Sequence, residues 1–394
     1  MTGIPDRKGQ RLLRTVCTAL AIFAGVLLVG PAAAQSKGDF EKEWADLTAA
    51  AKKEGQLLVS LSRMPDYQAL FDIFTKKFGV QVQTQVGSGS ARVTRVLAER
   101  SAGKYTVDVG LVSVAASTRR LNPAGALEDI PSLLIHPDAN DTSKWYGNRH
   151  WSVDEGGTRN IFVHAVRAQN HWTFWYNTEK LSAAVVATLK SPKDFLDPKW
   201  KGMMADQTWG DPGRVGDMME VYFAPDAGPE WVRKYLTEMD VSFTSDMRLE
   251  ETWLVRGRNP LKWSGGNIPT MLNDLAQKGL PIQRVLLEKA QGVLEARSSE
   301  CCVMVFKNAP NPNAAKLFLN WFLTAEGQAA MNALTPAQSL ISLREDVPLG
   351  NTDEAARRVP GKDYSFRDFD ETYRAKIAEA RATVVKLFDE RGNR

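Results

Sequence analysis

The residues best placed to do chemistry lie in the stretch 80–104, VQVQTQVGSGSARVTRVLAERSAGK. Val80, Val82 and Val86 alternate as a β-strand would. Gly87-Ser88-Gly89-Ser90 breaks the alternation, and Val93, Val96 and Leu97 then recur at helical spacing as far as Gly103. Glycines at the loop let a ligand approach the backbone. The free N–H groups of the helix's first turn, with the Ser88 and Ser90 hydroxyls, make a cradle for an anion. Arg92 falls in that first turn, where the helix dipole disfavours a cation unless a negative group is close. An ordinary Ser/Gly capping loop is the plainer reading of the same residues.

Catalytic signatures are absent: the sequence has no Gly-x-Ser-x-Gly, His-Glu-x-x-His or Gly-x-x-x-x-Gly-Lys. Gly87 and Gly89 lack the third glycine of a dinucleotide fingerprint, and no cofactor is expected. His136, His150, His164 and His171 are scattered without metal-ligand spacing. An exported hydrolase with a triad assembled from distant residues is the alternative of another class. Binding, not turnover, is the expected activity.

The formal charge is +4 over 394 residues. Arg7, Lys8, Arg11 and Arg14 against Asp6 give the first 34 residues +3, so the remainder carries +1. That removes the electrostatic motive for binding nucleic acid. The basic start, the apolar run from Val16 to Gly30 and the small residues Pro31-Ala32-Ala33-Ala34 read as a secretory signal cleaved before Gln35. Export to the periplasm follows. Beyond that cut only Cys301 and Cys302 remain, read as separate small hydrophobes on opposite faces of a strand.

The elements that must position the loop alternate β-α-β-α-β. A helix over 39–54 leads to a strand over 56–61 (QLLVSL), and a helix from Tyr67 to Phe74 leads to the opening strand. A third strand spans 106–112. Such alternation builds a mainly parallel sheet with helices on both faces, whose ligands sit beyond the carboxyl ends of the strands. Those ends are Ser62-Arg63, Gly87–Ser90 and Ser113. The middle third alternates again, with its own loops at 175–178, 209–213 and 263–266, each holding a tryptophan. Trp175, Trp209 with Asp211, and Trp263 with Ser264 are therefore expected to wall a cleft, although core placement is the common fate of a tryptophan. Arg63, Arg92 and Arg159 are candidates for bidentate anion contacts, with Lys262 and Arg214 as weaker ones. Each has the ordinary alternative of a solvated surface charge.

Residues 307–328, KNAPNPNAAKLFLNWFLTAEGQ, resemble the closing signature of bacterial extracellular solute-binding proteins of the iron(III)-type group. Residues 44–59, Ala98-Glu99-Arg100, Gly103-Lys104-Tyr105, Val107-Asp108-Val109, Tyr176-Asn177-Thr178 and Pro198–Gly202 match the same family in order. The resemblance implies an α/β, two-lobed periplasmic-binding-protein (type II) fold. Each lobe would be a mixed, mainly parallel sheet flanked by helices, joined by crossing hinge strands that close on ligand. It implies residues 1–34 as signal peptide, 37–155 with 283–334 as one lobe, 156–282 as the other, and 335–394 as a C-terminal helical extension. It also implies a monomer that delivers a small solute to the membrane permease of an ABC importer. Iron binders of that group use an adjacent tyrosine pair, and this sequence has no Tyr-Tyr; the comparable region is Lys262-Trp263-Ser264-Gly265. Without phenolate donors, a small anionic organic solute bearing carboxylate or phosphate is expected, and ferric iron or a metal complex is the alternative.

Overall fold

A computed structural model describes residues 37–61, 67–87, 89–114, 117–155, 158–208, 215–265, 270–296, 300–334, 340–350 and 352–392. The expected signal peptide lies outside these residues. Strands β1 (Gln56–Leu61), β2 (Gln81–Val86), β3 (Val109–Val112), β4 (Ser152–Glu155) and β5 (Thr158–Val163) come first. Next come β6 (Ala165–Asn177), β7 (Met204–Gln207), β8 (Ser242–Thr244), β9 (Leu261–Trp263) and β10 (Ile282–Glu295). The chain closes with β11 (Cys302–Val305), β12 (Ile341–Ser342) and β13 (Tyr364–Phe366). Helices of eight residues or more are α1 (Lys37–Glu54), α2 (Tyr67–Phe78), α3 (Gly89–Ser101), α4 (Val215–Tyr222) and α5 (Gly228–Thr237). After them come α6 (Met247–Val255), α7 (Thr270–Gln277), α8 (Pro312–Phe322), α9 (Ala325–Ala333) and α10 (Glu371–Gly392). None of the described helices is long and apolar enough to cross a membrane.

Two sheets result, ordered β2-β1-β3-β11-β5-β4 and β13-β10-β6-β9-β7-β8. Pairing is parallel within β2-β1-β3 and within β9-β7-β8, as alternation of strand and helix requires. It turns antiparallel where β11 meets β3 and where β6 meets β9 and β10. Each sheet has its own apolar core. Phe71, Phe74, Leu111, Phe162, Phe318 and Trp321 fill the first. Trp172, Phe195, Trp231, Tyr235 and Trp263 fill the second. Cys301 and Cys302 are buried free thiols; Cys301 donates to the Ala296 carbonyl at 3.0 Å.

β6 and β10 cross between the lobes. Ile282 to Glu288 pair with Asn177 back to His171, and Val293 to Glu295 pair with Gln169 back to Arg167. Between these runs the ladder breaks, leaving residues 289–292 opposite Asn170 alone. A break in an antiparallel ladder bends the strands locally, which is what a hinge needs.

Two expected boundaries change. β5 pairs with β11 and β4, so residues 158–163 belong to the first sheet rather than to a lobe starting at 156. A single residue, His164, separates β5 from β6, so the crossover between the sheets sits there. Residues 340–392 are also no mere helical extension. β12 pairs with the start of β6, β13 adds to β10, and α10 packs on α4 and α5.

Gly327 shows how closely the first lobe is packed. A Cβ there would stand 2.6 Å from the Phe322 Cα, against backbone that cannot swing aside. Thr324 caps α9 by accepting from the Gly327 N–H at 3.3 Å, which fixes the approach. Gly327→Ala is expected to lower stability by about 2–3 kcal/mol, the usual cost of overpacking, read as a lower midpoint in chemical denaturation.

Candidate functional site

The carboxyl ends of β1 and β3, with the amino end of β11, define one edge of the first sheet. Register sets this: Cys302 stands opposite both Val112 at the end of β3 and Val163 at the end of β5. Arg92 crosses this edge. It is 3% exposed; its Nε donates to the Gly87 carbonyl at 3.0 Å, and Nη1 reaches Ser60 Oγ and the Leu111 carbonyl, each at 3.3 Å. Its Nη2 is buried and has no hydrogen-bond partner among the described residues. Burial pulls the guanidinium's pKa down, and Glu300 opposes that, so the negative neighbour that a cation in the first turn demands is Glu300. Gly87 is needed at the approach: a Cβ there would come within 3.3 Å of Arg92 Cγ.

Tyr67, the first residue of α2, joins the same group. It is 2% exposed, and its hydroxyl has no hydrogen-bond partner among the described residues. Burial, reinforced by Glu300 and Cys301, pushes the phenol's pKa well up, so it remains a protonated donor. A buried donor left unpaired costs about 1–3 kcal/mol, and Tyr67 and Arg92 share Glu300 as a charged neighbour. Sequence reading took Tyr67 as one of a helix's apolar stripe. Its buried, unmet hydroxyl at the start of α2 marks it as polar in role.

On the second sheet the matching edge is the carboxyl end of β9. Ser264 is half-buried; its N–H donates to the Thr173 carbonyl at 2.9 Å, while its hydroxyl is unpartnered. The Thr173 hydroxyl beside it is unpartnered too. Gly265, at φ 58°, turns the chain here, and the Thr173 N–H donates to its carbonyl. These residues extend the second lobe's edge along β6.

Several expected contacts fail. Trp263 is a core residue, packed on Trp172, Phe195 and Trp231, with only its unpartnered Nε1 left to offer. Trp175 is buried with Leu254, Leu272 and Ile282, because the side chains of β6 alternate and its own points to the α6–α7 face. Arg159 is exposed near the start of β5, four residues before Val163 and thus roughly 13 Å from the edge that Arg92 crosses. It is a surface charge. Lys262 is buried and paired with Glu250, leaving no free cation. Ser113 is half-buried just past β3. Gly89 and Ser90 open α3. Ser62, Arg63, Ser88, Trp209, Asp211 and Arg214 lie outside the described residues.

A cavity of about 200 Å³ lies elsewhere, on the flank of the crossing strands. Phe223, Asp226, Lys289, Gln291, Arg367 and Tyr373 contribute to its wall, and none of the expected contact residues does. Among the described residues no cluster of three or more histidine, cysteine or carboxylate side chains is placed to hold a metal ion.

This geometry is that of a two-lobed binding protein: two α/β units, each with its own core, joined by shared crossing strands. The chain belongs to the family described as bacterial extracellular solute-binding protein, whose model matches residues 69–359. No curated protein matches. Among solved structures it is similar to the Trichodesmium protein IdiA (FutA) in complex with iron and citrate. That match has 19% identity over 86% of this chain and 99% of that one, with a TM-score of 0.57. The ferric binding protein from Campylobacter jejuni matches at 17% over 86% and 99%, TM-score 0.55. AfuA from Actinobacillus pleuropneumoniae, with fructose-6-phosphate bound, matches at 17% over 84% and 99%, TM-score 0.54.

Behind the second-lobe edge lies a buried charged group. Asp206 at the end of β7 accepts from the Tyr235 hydroxyl at 3.0 Å, and Gln207 donates to Glu250 at 3.2 Å. Burial raises the Asp206 carboxyl to about 7, with Lys262 pulling it down and Glu250 pushing it up. An acid whose folded pKa exceeds its unfolded value binds its proton more tightly when folded. Stability from this group is therefore full at low pH and is lost as pH rises from about 4 through 7. Asp206→Asn is expected to be more stable relative to the unmodified protein at pH 8 than at pH 5, measured by denaturation midpoints at both values.

Proposed function

We propose that the protein is the periplasmic solute-capturing component of an ABC importer, taking a small organic anion between its lobes and presenting it to a membrane permease. The observation that carries this reading is Arg92. A guanidinium 3% exposed, strapped to Gly87, Ser60 and Leu111, keeps both N–H bonds of Nη2 without a partner among the described residues, at the edge where ligands of such sheets sit. The Tyr67 hydroxyl adds a second donor, and the Ser264 and Thr173 hydroxyls add more from the other lobe. Carboxylate or phosphate oxygens accept from such a set, and closure removes the remaining water. Lobe one would comprise 37–163 with 296–347, and lobe two 171–288, with His164–Asn170 and 289–295 as the hinge. The basic and apolar leader supports export with cleavage after Ala34.

Binding to the folded state raises the melting temperature, so a thermal-shift series with organic acids, sugar phosphates and ferric citrate tests the reading. A shift with carboxylates or sugar phosphates is expected. A shift with ferric ion alone would sink the anion assignment, and consumption of the ligand on incubation would favour an exported hydrolase.

Tyr67→Phe separates the site from the scaffold. Deleting one neutral hydrogen bond should weaken binding of the responding anion about 2–10-fold by calorimetry, because such a bond contributes roughly 0.5–1.5 kcal/mol. The empty protein should be as stable or more stable, since an unpartnered buried hydroxyl is lost. Arg92→Lys keeps the charge beside Glu300 but loses the fork, and its binding loss should exceed that of Tyr67→Phe.

A further inference from the structure

Residues 340–392 leave the first lobe, cross the hinge and end on the second lobe. Arg344, fully buried, anchors the start: its Nη2 meets Asp138 Oδ1 and Asp346 Oδ2, both at 2.8 Å, and its Nη1 donates to the Leu323 carbonyl. The Leu343 N–H donates to the His164 carbonyl at 2.8 Å, at the junction of the two sheets. At the far end α10 lies on α4 and α5, and Arg391 donates to the Val241 carbonyl.

What lies between these anchors meets the crossing strands where their own ladder is interrupted. Asn170, fully buried, has no ladder partner, and the segment supplies its bonds instead. Its Nδ2 donates to the Ala355 and Arg357 carbonyls, its Oδ1 accepts from the Tyr364 hydroxyl, and its carbonyl accepts from Lys362 at 3.3 Å. Lys362 also donates to the Lys289 carbonyl at 3.2 Å, and the Gly292 N–H donates to Asp363 at 3.0 Å. Gly292 is required, since a Cβ there would overlap the Tyr364 ring. Arg284 pairs with Asp353 at 3.0 Å on the second-lobe side, and Asp368 accepts from the Ala296 N–H at 2.7 Å on the other.

We propose that this segment is a latch on the hinge: Asn170, Gly292 and Tyr364 hold the interrupted ladder in one bend and thereby set the lobe separation. The physical reason is accounting of backbone groups. Asn170 and residues 289–292 sit where a bend must be absorbed, and buried polar groups there need partners in whichever bend is populated. The latch provides them for one bend only, anchored at both ends so that it cannot follow both lobes at once. Apparent ligand affinity then depends on the fraction of molecules with the competent separation, so the latch acts on binding without touching ligand.

The test needs no ligand and so stands or falls apart from the solute assignment. Ala45→Cys on α1 and Lys193→Cys on the second lobe are exposed sites for spin labels. The native thiols are buried. Inter-label distances are measured by pulsed electron resonance in the full mature chain, with Tyr364→Phe, which deletes the hydroxyl, and separately with Gly292→Ala, which displaces the ring. A distance distribution that shifts or broadens in both is expected. An unchanged distribution in Tyr364→Phe overturns the proposal whatever happens to the melting temperature, because a clasp that only stabilises would lower Tm without moving the lobes. If Gly292→Ala does not fold, the Tyr364→Phe result decides alone.

Discussion

Everything in this molecule hangs on two strands that belong to both lobes. β6 and β10, of 13 and 14 residues, run antiparallel and carry the chain between the lobes, their ladder interrupted once between Glu288 and Val293. The ladder is regular within the second lobe and resumes beyond Asn170, so rigidity and compliance are divided along one strand pair. Each lobe then packs its own apolar core. This leaves relative motion as the low-cost degree of freedom, because bending at one interrupted ladder disturbs neither core.

Charge burial around these strands follows the same division. Lys289, 3% exposed, pairs with Glu220 and stands over the Trp172 ring, and Arg367 meets Glu295, itself bonded to Gln169 at 2.6 Å. Buried ions are tolerated when each is paired and hydrogen-bonded, and removing one partner is far costlier than the pair is stabilising. These pairs tie α4, β10 and the segment around β13 to a single arrangement. The buried Lys262–Glu250 pair does the same behind β9 and explains why Lys262 offers nothing to a ligand. The first-lobe edge differs: Arg92 and Tyr67 retain unmet donors.

The solved structures similar to this chain hold iron with citrate in one case and fructose-6-phosphate in another, on one fold. The sequence has no adjacent tyrosine pair, and Trp263, followed by Ser264, closes β9. A tryptophan ring locked into a core with Phe195 and Trp231 supplies no hard oxygen donor to a metal.

The amino-acid order alone determined the elements. Periodicity located β1 and α2 closely, because their apolar spacing and glycine or proline stops act within a few residues. The ordered motifs from Trp44 to Gln328 likewise carried the family, and the Gly87 turn was legible from its neighbours. Only the tertiary structure decided which side chains meet at the strand ends. Trp175 and Trp263 looked like cleft walls until pairing fixed which face of each strand they occupy. Arg159 fell at the wrong end of β5 for the same reason, a register read from β11 some 140 residues later. Tyr67 became a donor, and residues 340–392 a bridge between lobes, through contacts made across the whole chain. Local spacing encodes an element; which polar atoms remain unpaired is a property of everything packed around them.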